Sequence, residues 1–252
     1  MFDQYTEIYL LFDDGNVLNN NKIRGEQWQK LIGEFMTPNF GGNPKDWGTA
    51  NAKIVENFIN KGIPTLMYEH KEKNHKQYIE WFIEYWINNM FDYAGIERPD
   101  ESKYNEIYYN AAKYVNLRVN SAFPDVKETI KILCQKGYNL CTASGTESIE
   151  LKYYLEGMEI KPYFNKFYGP DLVNTLKVDD KFYTAIFTDL RIKPEQAIVI
   201  DDKPYYLKIA EKLGAHTIQA CLIDEVEPKF DNYIISIKSL PKIIEKIIHE
   251  SN

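Results

Sequence analysis

Hydrophobic and polar positions follow two different rhythms along the chain, and the change between them divides it. Near the start stands an apolar run of strand length, Ile8-Tyr9-Leu10-Leu11-Phe12, ending on Asp13-Asp14-Gly15-Asn16-Val17-Leu18. A strand apolar at every position fits a parallel sheet covered on both faces. Asn19-Asn20-Asn21 then reads as a turn, and from Lys22 to Val119 the apolar positions recur at helical spacing. Trp28, Leu31, Ile32 and Phe35 form one such set, and Ile54, Val55, Phe58 and Ile59 another. Ile79, Phe82, Ile83, Trp86 and Met90 form a third, and Ile107, Ala111, Tyr114 and Val115 a fourth. Breaks are expected at Pro38, Gly41-Gly42, Gly62 with Pro64, and Gly95 through Pro99, with no strand in the block.

From Phe123 the rhythm becomes strand and helix in turn. Pro124 opens a helix through Ile130 and Leu133 that stops at Gly137, and a short strand from Tyr138 to Ala143 ends at Ser144-Gly145-Thr146. A helix from Glu147 to Glu156 follows, then a weaker strand from Phe164 to Tyr168, the loop Gly169-Pro170-Asp171, and a helix from Asp180 to Leu190. Ala197-Ile198-Val199-Ile200 is a buried strand ending in Asp201-Asp202, with Pro204 starting a helix closed by Gly214. Strands from Thr217 to Ala220 and Tyr233 to Ile237, and a helix from Pro241 to Ile248, complete the chain. Alternation of this kind predicts an α/β fold, a doubly wound, Rossmann-like parallel sheet with right-handed crossovers. The expected division is a core of residues 1–18 and 120–252, with residues 19–119 an inserted all-helical domain.

Composition adds limits. At 252 residues, 44% hydrophobic and 27% charged, the chain has the make-up of a soluble globular protein. A net charge of −7 argues against a nucleic-acid partner and for small-molecule ones. Cys134, Cys141 and Cys221 lack metal-ligand spacing and read as reduced thiols, each in an apolar stretch where a small buried hydrophobe is the plain interpretation. All four tryptophans, Trp28, Trp47, Trp81 and Trp86, lie in the helical block, where an aromatic stripe reads as core before it reads as a stacking pocket. The first residues lack the pattern of a signal peptide, and no run approaches the ~20 apolar residues that span a bilayer, so the expected location is cytoplasmic with no membrane partner.

Three strand ends carry polar residues suited to phosphoryl transfer: Asp13-Asp14, Ser144-Gly145-Thr146 and Asp201-Asp202, with Lys177 in a following loop. Each has an ordinary explanation. Asp14 and Gly15 are turn residues, Ser144 with Glu147 matches a helix capping box, and Asp202 before Pro204 can be an N-cap. Their succession at loops that one sheet edge would gather favours chemistry. Carboxylates from two strand ends suit Mg²⁺, and a helix amino terminus suits a phosphate.

In these motifs the chain resembles the haloacid dehalogenase superfamily of hydrolases, in the form with a helical cap inserted after the first motif. Asp13 through Leu18 is similar to the first motif, Ser144 falls on the Ser/Thr of the second, and Lys177 with Tyr183 resembles the third, although Val178 and Asp180 replace its usual prolines. Val199-Ile200-Asp201-Asp202-Lys203-Pro204, with Ala210 and Gly214, matches the fourth. Aligned without a gap, Asp13 is the nucleophile, Gly15 stands where a second, acid/base Asp is expected, and Asn16 replaces the usual Gly.

The resemblance implies a Mg²⁺-dependent hydrolase of a small phosphorylated metabolite that works through an aspartyl phosphate on Asp13. It implies Mg²⁺ held by Asp13, the Gly15 carbonyl, Asp201 and Asp202, with the phosphoryl group bound by Ser144, Gly145, Thr146 and Asp14 and neutralised by Lys177. Gly15 cannot move a proton, a task worth roughly 10²- to 10⁴-fold. Alkyl phosphates should then be poor substrates unless Asp14, Glu26 or His70 takes the proton, and acyl phosphates or anhydrides should suffer less. Three other readings stay open: a 2-haloacid dehalogenase-like reaction at carbon, a phosphonoacetaldehyde hydrolase-like reaction using a cap lysine such as Lys53, and a non-catalytic protein that binds a phosphorylated metabolite.

Overall fold

A computed structural model describes residues 7–61 and 74–250, with the backbone alone for residues 58–61. His70 and the breaks expected at Gly62 and Pro64 lie outside the described residues. The chain forms two compact units, Met1–Asn21 with Ser121–Asn252, and Lys22–Asn120.

The first unit is built on six parallel strands: β1 (Tyr9–Phe12), β2 (Asn139–Ala143), β3 (Lys166–Tyr168), β4 (Ala197–Asp201), β5 (His216–Ala220) and β6 (Tyr233–Ile234). Their order is β3-β2-β1-β4-β5-β6, so the strand formed first in the chain lies between β2 and β4. Leu10, Leu11 and Phe12 are fully buried, which explains the absence of any polar position in this run. On one face Leu11, Cys141 and Val199 pack with Phe182, Tyr183 and Ile186 of α8 (Asp180–Leu190) and with Leu207 and Ala210 of α9 (Pro204–Leu213). Each large side chain removed from water there contributes about 1.5–3 kcal/mol. The fold class read from the sequence is therefore the one observed.

The remaining helices of this unit are α5 (Val126–Gln135), α6 (Ser148–Gly157), the single turn α7 (Pro170–Val173) and α10 (Leu240–Glu250). The second unit carries α1 (Asn21–Phe40), α2 (Pro44–Lys61), α3 (His75–Ala94) and α4 (Tyr104–Asn116), and no strand among its described residues. Its core is aromatic: Trp47 and Phe91 meet edge to face at 5.0 Å, and the Trp86 indole donates to Asn51 at 3.1 Å. Trp28 and Trp81 are partly exposed. Among the described residues no helix is long and apolar enough to cross a membrane.

Several local expectations need correction. Pro38 does not end its helix, which runs on to Phe40; the stop is Gly41, at φ 78°. The last strand ends at Ile234, leaving Ile235 73% exposed. Cys134 lies on the exposed side of α5 and is not a buried hydrophobe, whereas Cys141 and Cys221 are buried. The boundaries between the two compact units fall at 21/22 and 120/121. The reason is the pairing of the two crossing segments: Asn19 and Ala122 form an antiparallel bridge, and the Asn20 N–H donates to the Ser121 carbonyl at 2.7 Å.

One close approach positions the edge of the sheet. A methyl group built on Gly169, between β3 and α7, would lie 2.2 Å from the carbonyl oxygen of Thr146, and backbone cannot yield as a side-chain tip does. Gly169→Ala is expected to destabilise the fold by about 1–3 kcal/mol in urea denaturation. An unchanged midpoint would show that the two loops are free to separate.

Candidate active site

The strand order reverses direction between β1 and β4, and a crevice at the carboxyl ends of the strands on either side of such a point is where open α/β sheets hold ligands. Phe12 pairs with Thr142 on one side and Ile200 on the other, so Asp13, Ser144 and Asp201-Asp202 follow from three adjacent strand ends. The Asp13 N–H extends the ladder to the Ile200 carbonyl at 2.9 Å, which fixes the residue to the sheet.

Lys177, in the loop between α7 and α8, reaches into this edge with its side chain only 3% exposed. Its ammonium donates to Asp13 Oδ1 at 3.0 Å, Asp201 Oδ2 at 2.7 Å and the Ala143 carbonyl at 2.7 Å, which uses all three of its protons. The Tyr206 ring lies 4.7 Å from the ammonium, and the Tyr205 hydroxyl donates to the Val178 carbonyl at 2.7 Å, so the helix after the acid pair also anchors the lysine loop. Burial alone pushes the lysine down, but the charges of Asp13 and Asp201 more than reverse it, and the group sits well above its ordinary value.

Asp13, Asp201 and Asp202 each present an oxygen within 4.8 Å of the other two. Burial, ahead of the opposing pull of Lys177, pushes Asp201 up to about 7, and burial followed by the charge of Asp13 raises Asp202. Three carboxylates thus face one buried ammonium, with Lys203, 57% exposed, at 3.0 Å from Asp202 Oδ2. That surplus of negative oxygen suits a hard divalent cation, so the donor set passes the test of chemistry for such an ion. Asp201 has both oxygens engaged, Oδ2 by Lys177 and Oδ1 by the Lys203 N–H at 2.8 Å, which makes it a support for its neighbours.

The other predicted residues fall as follows. Asp14 is buried and apart from the acid cluster, its carboxylate accepting from Asn19 Nδ2 at 2.6 Å and its carbonyl from the N–H groups of Leu18 and Asn19. It closes the loop from the inside. Gly15 pairs with Asn19 across that loop. Ser144 is buried and Gly145 exposed at the end of β2, and Thr146 donates its N–H to Ser144 Oγ at 3.4 Å. The capping box expected for Ser144 is absent: α6 starts at Ser148, whose N–H and hydroxyl are held by Asp171 at 2.7 and 2.5 Å. Ser144 is thereby released from a helix-capping role. Tyr183 is fully buried in the core. In the helical unit, Glu26 is exposed and the Lys53 ammonium lies over the Tyr93 ring at 5.0 Å.

Two contributors have no signal strong enough to be found in the sequence. Asn16 is buried at φ 56° and donates its amide to Asp202 at 3.1 Å, and Tyr206 reaches Lys177 from a position that reads only as an ordinary helix aromatic. The Asn16 backbone is informative in retrospect, since Asn is the residue other than Gly that best tolerates left-handed φ.

Removing Lys177 leaves the buried Asp201 and the partly buried Asp13 carboxylates facing each other without the ammonium between them. Lys177→Ala is expected to cost about 3–5 kcal/mol of stability in urea unfolding, and Asp201→Asn in the same chain should recover part of that loss. Equal costs for the single and double variants would show that the three groups do not form one electrostatic unit.

The family model of haloacid dehalogenase-like hydrolases matches residues 52–220, which span Ser144, Lys177, Asp201 and Asp202. A glyceraldehyde 3-phosphate phosphatase of Pyrococcus furiosus is 21% identical over 215 residues, 80% of this chain and 86% of the relative. Among solved structures, a HAD-hydrolase of Bacillus subtilis bound to magnesium superposes with a TM-score of 0.63 at 14% identity, covering 94% of this chain and 98% of that one. An L-2-haloacid dehalogenase of Xanthobacter autotrophicus gives 0.59 at 11% identity, covering 95% and 98%.

Proposed function

The chain belongs to the haloacid dehalogenase-like hydrolases, and on that premise we propose that it is a Mg²⁺-dependent phosphohydrolase acting on a small phosphorylated metabolite through a covalent aspartyl phosphate. The observation that carries this reading is the contact of Asp13 with Lys177 at 3.0 Å inside a cluster of two further carboxylates. A carboxylate fixed by a buried ammonium is held still, and it meets a phosphoryl group whose charge the same cation offsets. The phosphatase relative supports this class of substrate.

In this mechanism an Asp13 oxygen attacks phosphorus in line, the bond from phosphorus to the leaving oxygen breaks, and water then releases inorganic phosphate and returns the free carboxylate. Ser144 Oγ and the Gly145 N–H bind the phosphoryl oxygens, and Lys177 holds Asp13 in place throughout. Asp13, Asp202 and the Gly15 carbonyl would hold Mg²⁺, with Asp201 orienting Lys177 behind them. When bound, the cation offsets repulsion between the Asp13 carboxylate and the anionic phosphoryl group. We assign substrate selection to the helical unit, which the chain inserts directly after the loop that carries Asp13.

Proton transfer is the step the core leaves to others. Gly15 has no side chain, and Asp14 is occupied with Asn19. Substrates whose leaving groups need no proton, acyl phosphates and phosphoanhydrides, are therefore the favoured class. Reaction at the carbon of a 2-haloacid would set a substrate carboxylate beside Asp201 and Asp202, a juxtaposition of like charges that disfavours it.

A panel of acetyl phosphate, pyrophosphate and alkyl phosphates, assayed with Mg²⁺, tests this reading. Acyl and anhydride substrates should turn over fastest, Asp13→Asn should lose at least ~10³-fold, and Gly15→Asp should raise alkyl phosphate hydrolysis by roughly 10²- to 10⁴-fold. Full activity in Asp13→Asn, or binding of phosphorylated metabolites with no turnover of any of them, would overturn it.

A further inference from the structure

Asn16 combines features that a turn residue alone does not need. Its backbone is at φ 56°, where glycine is the least strained choice, yet the side chain is kept and is buried to 7% exposure. Both ends of that side chain are used. Nδ2 donates to Asp202 Oδ2 at 3.1 Å, and Oδ1 accepts the N–H of Asn21 at 3.2 Å, so the amide has one orientation and its donor end faces the carboxylate. Lys203 Nζ approaches the same oxygen of Asp202 at 3.0 Å. Among the described residues, Oδ1 of Asp202 accepts no hydrogen bond, and an oxygen of this residue lies within 4.8 Å of Asp13 and Asp201.

We propose that Asn16 is a positioning residue for the cation site: by holding Oδ2 of Asp202 it fixes the rotamer of that carboxylate and keeps Oδ1 available to the ion. This inference rests on the reading of Asp13 and Asp202 as cation ligands. The physical basis is general, because hydrogen bonds to a metal-binding carboxylate fix its rotamer and sustain its charge, and their loss costs about 10- to 100-fold in metal affinity. Lys203 is the weaker of the two holds, since its side chain is 57% exposed and free to leave. Asn16 is the rigid one, anchored by its own backbone in the loop that carries Asp13.

The test is direct binding of Mn²⁺ alone, without substrate, to wild type and Asn16→Gly, followed by electron paramagnetic resonance. Gly suits the left-handed backbone, so the fold should be retained, and apo melting temperatures check that it is. The expected result is apo melting within a few degrees of wild type together with Mn²⁺ affinity about 10- to 100-fold weaker. Lys203→Ala should weaken it less. Equal affinity in wild type and Asn16→Gly would overturn the positioning role while leaving the cation reading standing. A wild type that takes up no Mn²⁺ would overturn both, and a large fall in the apo melting temperature would make Asn16 a residue of the fold instead.

Discussion

A single buried ammonium organises the candidate active-site edge of this protein. Lys177 spends its three protons on Asp13, Asp201 and the Ala143 carbonyl, so one side chain ties the ends of β1, β4 and β2 together. An ion buried this deeply is stable only when its hydrogen-bonding capacity is filled, and each of the acceptors is supplied by a different strand of the sheet. The fold and the site are in this sense one construction. The parallel order puts three strand ends side by side, and the loop between α7 and α8 inserts the charge that keeps their acids from repelling one another.

That balance is deliberately incomplete. Asp201 and Asp202 are both raised, first by burial, and the lysine that relieves Asp201 cannot also relieve Asp202. The residual negative charge is what suits the edge to the proposed cation and, through it, to a phosphoryl group. The same chemistry explains why Asp14, next to Asp13 in sequence, sits elsewhere: alternate residues leaving a strand point to opposite sides, and Asp14 turns inward to Asn19.

Much of this could be read from the residues. The run Leu10-Leu11-Phe12 and the strand Ala197 to Ile200 announce themselves because burial on both faces leaves no polar position, and the acids that follow them lie where the fold class says ligands bind. What remained hidden depends on tertiary approach. Nothing near Ser144 says that Asp171, across a loop, rather than Ser144, will hold the start of α6. Nothing in Tyr206 says that its ring will face Lys177, and Asn16 looks like a turn substitution until its amide is seen against Asp202. Pro38 misleads because its helix continues past it to Phe40 and ends at Gly41, whose left-handed backbone is the actual stop.

The proposed reaction requires an Asp13 carboxylate oxygen to take the phosphoryl group. The most direct measurement is peptide mapping by mass spectrometry of wild-type protein quenched in acid during turnover of acetyl phosphate with Mg²⁺. A phosphoryl group on the peptide containing Asp13, absent when Mg²⁺ is withheld, is the predicted result. Turnover with the label on any other residue, or with no label in a quench faster than the turnover time, would contradict it.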